Sequence, residues 1–127
     1  MEGFPDVELA LMELLSPLGP TCTATDEDLS GPIIRVNRTG GPTRPWEDNA
    51  TVEVACFCET RPESMALNQQ VVATLNNLRG VQTEAGFIDK ISNFVAPFPI
   101  PDLNPNSRMV TSTWTVTSRW QELPTQS

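Results

Sequence analysis

The stretch RMVTSTWTVTSRW, residues 108–120, decides the fold. Val110, Ser112, Trp114, Val116, Ser118 and Trp120 alternate with Met109, Thr111, Thr113, Thr115, Thr117 and Arg119. A period of two in a run rich in Thr, Val and Trp is the signature of a β-strand with one face buried. At about 3.3 Å per residue the run spans about 40 Å. That is more than a small core needs, so the strand either curls or extends beyond its sheet.

Upstream, further strands supply its partners. Residues 51–58 place Val52, Val54, Cys56 and Cys58 on one face and Glu53, Ala55 and Phe57 on the other. Residues 33–38 alternate in the same way, with Ile34 and Val36 against Arg35 and Asn37. A short extended piece covers residues 21–25, and residues 87–95 form a strand with weaker alternation. Residues 39–49, with two Gly and two Pro, read as a long loop. Residues 96–107 carry Pro97, Pro99, Pro101 and Pro105, and each proline removes a backbone donor. That segment reads as a stiff extended loop, and residues 121–127 as a frayed end.

Two segments have helical spacing. Pro5-Asp6 opens the first, and Val7, Leu11, Leu14 and Leu15 form its stripe, which Leu9 and Met12 widen. Pro17-Leu18-Gly19-Pro20 ends it. Thr60-Arg61-Pro62-Glu63 is a capping box that starts the second. Leu67, Val71, Leu75 and Leu78 carry that helix to about Arg79, with Gly80 as its stop. Asn68, Gln69, Asn76 and Asn77 give it a neutral amide face, suited either to solvent or to a subunit contact. The expected fold is α+β: one domain over residues 1–127, with a mainly antiparallel sheet of four to five strands and two helices packed on one face.

Composition narrows the function. The chain has 127 residues, 39% hydrophobic and 19% charged, with a net charge of −8. This is a globular composition whose charge opposes general nucleic-acid binding and docking on anionic lipid. No apolar run approaches the roughly 18–20 residues of a membrane span. The N-terminus has no basic region ahead of an apolar one, so a cytosol-like compartment is expected. His and Tyr are absent, which removes Ser-His-Asp triads, Cys-His dyads and imidazole metal ligands. The only Lys is Lys90, against seven Arg.

Three cysteines, Cys22, Cys56 and Cys58, read as free thiols packed as small hydrophobes, one ligand short of a zinc site. Asn37-Arg38-Thr39 and Asn49-Ala50-Thr51 are chance sequons without an export signal. Gly40-Gly41 lacks any phosphate-loop context and reads as a turn. Asp26-Glu27-Asp28 lacks calcium-loop spacing. No cofactor is expected. Trp46 stands out inside the 39–49 loop. It either folds back over the core edge or anchors a protein–protein contact, where Trp and Arg are enriched.

Four stretches together resemble a known family: FPDVELALMELLSPLG (4–19), TATDEDLSGPIIRVNRTGG (23–41), DNATVEVACFCETRPESMALNQQVVATL (48–75) and PDLNPNSRMVTSTWTVTSR (101–119). They are similar to the tail terminator, or tail completion, proteins of long-tailed non-contractile bacteriophages, particularly those of actinobacterial hosts. The resemblance implies an α+β fold that assembles as a homo-oligomeric hexameric ring in the virion. Such a ring sits on the head-proximal end of the tail tube, after assembly in the host cytoplasm. It also implies two protein partners, the tail tube protein and a head-side connector or stopper. DNA passes through the lumen without specific binding, and no membrane and no catalytic residue are implied. An acidic lumen would let duplex DNA slide.

A ring needs a heterologous contact that closes. Strand edges and the two loops are its cheapest sources. The expected contact residues are therefore Arg44, Trp46, Glu47 and Asp48 in the first loop, with Pro99, Pro101, Asp102, Asn104 and Arg108 in and beside the second. Three alternatives compete. One is a head-side neck protein, and another a small monomeric module that binds a peptide at a sheet edge. The third is an enzyme using Cys56 or Cys58 as nucleophile beside Glu53 or Glu59.

Overall fold

The computed structural model describes residues 1–23, 32–76, 78–99 and 108–124. Its elements are β1 (Glu2–Gly3), α1 (Val7–Leu15), a 3-10 turn (Ser16–Leu18), β2 (Thr21–Cys22), β3 (Ile33–Gly40) and β4 (Glu47–Phe57), then α2 (Arg61–Leu75), β5 (Leu78–Thr83), β6 (Gly86–Pro99), β7 (Met109–Arg119) and β8 (Gln121–Glu122). The main sheet has six strands in the order β2-β3-β4-β7-β6-β5, where four to five were expected. Every pairing in it is antiparallel except β2 with β3. A separate two-stranded sheet joins β1 to β8.

The long strand is accommodated by an equally long neighbour. β4 and β7 pair without a register shift from Glu47↔Arg119 to Phe57↔Met109. Their shared inward face carries Ala50, Val52, Val54 and Cys56 against Val110, Trp114 and Val116, all without exposed surface. Val7, Leu11 and Leu15 of α1 and Leu67, Val71 and Leu75 of α2 join the same core, so both helices lie on this face. Each fully buried Val, Leu or Ile side chain contributes about 1.5–3 kcal/mol. The opposite face is polar, with Thr113, Thr115, Thr117, Thr51 and Glu53 part-buried.

Both helices start as their sequences dictate. Asp6 caps α1, its Oδ1 accepting from the backbone N–H of Glu8 and of Leu9. Thr60 caps α2 by accepting from the Glu63 N–H at 3.3 Å. The end of α2 differs from expectation. The helix stops at Leu75, and Asn76 is already extended. Residues 78–83 leave it to pair with β6 around a tight Glu84-Ala85 turn. Leu78 continues the helical stripe in sequence, which hid this strand. Gly86 closes the turn at φ 144°, and a Cβ there would lie 2.8 Å from the Pro5 ring.

Asn68 is not on an outer amide face. It is fully buried against the sheet, where its amide donates to the carbonyls of Val54 (3.2 Å) and Val110 (2.9 Å). Its Oδ1 accepts from Ser112 Oγ at 2.8 Å, and that hydroxyl in turn accepts from Trp114 Nε1 at 2.8 Å. This closed network fixes the rotation of α2 over β4 and β7.

Two prolines expected in a loop lie in a strand. β6 runs through Pro97 to Pro99, and 96–107 is therefore not loop throughout. The exception is local. β5 pairs with β6 only as far as Ile91, and β7 pairs with it onward to Pro99 through two register shifts. Among the described residues, Pro97 and Pro99 thus occupy a stretch with one strand neighbour, where a missing N–H is tolerated. The 39–49 loop shrinks in the same way, because β3 extends to Gly40 and β4 begins at Glu47. Nor is 121–127 frayed throughout. Gln121 and Glu122 form β8, and the Gln121 amide accepts from Phe87 N and donates to Phe87 O, as a strand residue would.

The outer edge of β3 is covered by the short β2 and, beyond it, by α1. The Ile34 N–H donates to Pro20 O at 2.8 Å, and the Arg38 N–H donates to the Glu8 carboxylate of α1 at 2.8 Å.

Candidate assembly surface

The connection between β3 and β4 is a rigid tip of six residues, 41–46. Gly41 starts it at φ 100°, with its Cα so near Asn49 O and Thr51 N that no side chain fits. Backbone bonds from Asn49 N to Pro42 O (3.0 Å) and from Arg44 N to Glu47 O (2.7 Å) close it. Asp48 organises it from within. This residue has no exposed surface, and its carboxylate accepts from Arg38 Nη1 and Nη2, each at 2.7 Å, and from Thr43 Oγ1 at 2.8 Å. Asp48 is therefore an internal strut, not the surface contact residue its position in the sequence suggested.

Above this support stands Trp46, 65% exposed and clear of the core. Arg44 is exposed and Glu47 half-buried. The Trp46 carbonyl accepts from the Trp120 N–H at 3.2 Å. Trp120 is itself 49% exposed and meets the Phe4 ring edge-on at 5.2 Å between centroids. The tip and the C-terminal strand thus present two tryptophans together. Trp120 was not among the expected contact residues, because strand alternation alone accounted for it.

The second expected surface lies at the other end of the sheet. Pro99 pairs with Val110 and Asp48 with Ser118, so the two surfaces are separated by roughly 26 Å along β7. Here Phe94 (71%), Val95 and Phe98 are exposed on the singly paired stretch of β6. Arg108 is exposed and reaches Glu59 O at 3.5 Å. Pro101, Asp102 and Asn104, like Asn77 and the acidic run at 26–28, lie outside the described residues. The exposed phenylalanines were missed because the prolines around them read as loop.

A cleft of about 370 Å³ opens beside α1, lined by Leu9, Glu13, Glu84 and Ala85. The Glu84 N–H donates to Glu13 Oε1 at 3.0 Å and ties the β5–β6 turn to the helix. Leu9 is 46% exposed at this cleft.

The cysteines offer poor nucleophiles. Burial, with the nearby Cys58, pushes the Cys56 thiol up to about 12. Burial also raises Cys58, opposed by its contact with Ser64, and raises Cys22 against the effect of Arg35. Glu53 lies on the opposite sheet face from Cys56 and pairs with Arg35 at 3.8 Å, so it is not placed as a base for that thiol. No group of potential metal ligands is assembled among the described residues. No described helix is long and apolar enough to cross a membrane.

No curated protein matches the chain by sequence. One family does, described as phage tail termination protein, and it spans residues 3–125. With nearly the whole chain matched, the protein belongs to the phage tail termination proteins, a structural family of the virion tail.

Proposed function

We propose that this protein caps the head-proximal end of the tail tube as a hexameric ring. It stops tube polymerisation and presents the joining surface for the head-side connector. DNA passes through the ring without specific binding, and assembly takes place in the host cytoplasm. The family match over residues 3–125 carries this reading. The geometry supports it through exposed aromatic residues, Trp46 and Trp120 at one end of the sheet and Phe94 and Phe98 along the singly paired stretch of β6. Such residues are enriched at protein contacts.

The test is deletion of the coding region from its phage, with electron microscopy of lysates and the protein supplied in trans as control. Overlong, headless tails are the expected result. Tails of normal length beside unattached heads would instead place the protein on the head side of the joint.

A further inference from the structure

We propose that the Arg44–Trp46 tip of one copy seats in the Leu9, Glu13, Glu84 and Ala85 cleft of the next copy. The inference rests on the ring reading above and names the contact that closes the ring.

Three observations carry it. The first is chemical fit. The tip offers a mostly exposed indole flanked by an exposed guanidinium. The cleft offers the exposed apolar surface of Leu9 beside Ala85, with the Glu13 and Glu84 carboxylates at its sides. The indole packs on Leu9 and Ala85, and Arg44 meets the two acids.

The second is rigidity. The bidentate Arg38–Asp48 pair, the Thr43 hydroxyl and the Gly41 approach hold the tip in one shape. The Glu13–Glu84 bond holds the cleft. With the backbone fixed on both sides, the ordering cost is confined to the side chains that meet.

The third is placement. The strand order puts the β3–β4 tip and the β5–β6 turn at the same end of the sheet but on opposite flanks. Three strand spacings, roughly 14 Å, lie between them. The projection and the β5–β6 wall of the recess are thus separate parts of one copy's surface, as a repeating heterologous contact requires.

The experiment uses the deletion phage complemented with full-length variants. Trp46→Ala and Arg44→Glu are each expected to cut infectious titre by about tenfold or more, as when a central Trp or Arg anchor is lost. Joining Arg44→Glu to Glu84→Arg restores the charge pair and is expected to recover titre. Trp46→Cys together with Ala85→Cys, treated with a short bifunctional thiol reagent on purified tails, is expected to give a ladder of covalent multimers that neither single variant gives. Unchanged titre in both single variants, or no ladder from the paired cysteines, overturns the contact. The two readings separate cleanly. Overlong tails on deletion with no ladder would sink this contact and leave the terminator reading standing. Normal tails on deletion with a ladder would do the reverse.

Discussion

Asp48 and Arg38 form a two-point ion pair across the base of the β3–β4 tip, with both Nη–Oδ distances at 2.7 Å. Asp48 is enclosed while Arg38 keeps 31% of its side chain exposed. Removing one partner of an enclosed pair costs about 3–5 kcal/mol, chiefly because the other charge is stranded. With Arg38 part-exposed, Arg38→Met is expected at the low end, about 3 kcal/mol. Urea unfolding of the two proteins measures it, and hydrogen exchange at residues 41–46 should quicken in the variant.

The Asn68 network gives a second expectation. Asn68→Leu leaves the carbonyls of Val54 and Val110 and the Ser112 hydroxyl without this partner in a buried site. Stranded buried groups cost about 1–3 kcal/mol each when nothing replaces the bond. A double-mutant cycle with Ser112→Ala should show non-additivity of about 1 kcal/mol or more, since the two residues share one hydrogen bond. Strict additivity would mean that the bond contributes nothing.

Cys56 makes the protein sensitive to alkali. Its thiol is raised in the folded state to about 12 from an ordinary value of 9.0. The unfolded chain therefore loses this proton first. The stability it contributes is complete below the unfolded value and is lost as pH rises from about 9 to about 12, with a slope of about 1.4 kcal/mol per pH unit for one proton. Cys56→Ala should lower stability at neutral pH but flatten this decline. Denaturant midpoints taken across that range check the slope.

Gly86 tests the β5–β6 turn. It combines φ 144° with a Pro5 contact that leaves no room for a Cβ. Gly86→Ala is expected to cost about 1–3 kcal/mol from backbone strain. The thermal midpoint would fall accordingly, and an unchanged midpoint would show that the turn relaxes freely.

The sequence was most legible where burial follows a simple period. β7 alternates because one face is core and the other open, and α1 begins where Asp6 caps it. Legibility failed where a local signal ran against the tertiary environment. Glu47-Asp48-Asn49 reads as loop, yet β4 starts there because Arg38 neutralises an enclosed Asp48. Leu78 fits the α2 stripe but belongs to β5, whose partner β6 comes later in the chain. Pro97 and Pro99 argue against a strand until one sees that β5 has already ended. Trp46 stood out in its loop, but whether it folds over the core edge was open in the sequence, and the structure leaves it 65% exposed. The cleft was not, because Glu13 and Glu84 are 71 positions apart. Leu9 gave only the hint of one apolar residue too many on its helix.

The Glu8 carboxylate on the Arg38 N–H has a consequence for solubility. An open strand edge recruits any passing strand by backbone bonding, which is how ordered aggregates grow. By spending a side chain on that edge, α1 denies fibre-like stacking a foothold on β3. On that flank of the sheet, contact with another chain falls to shaped side chains rather than to backbone pairing.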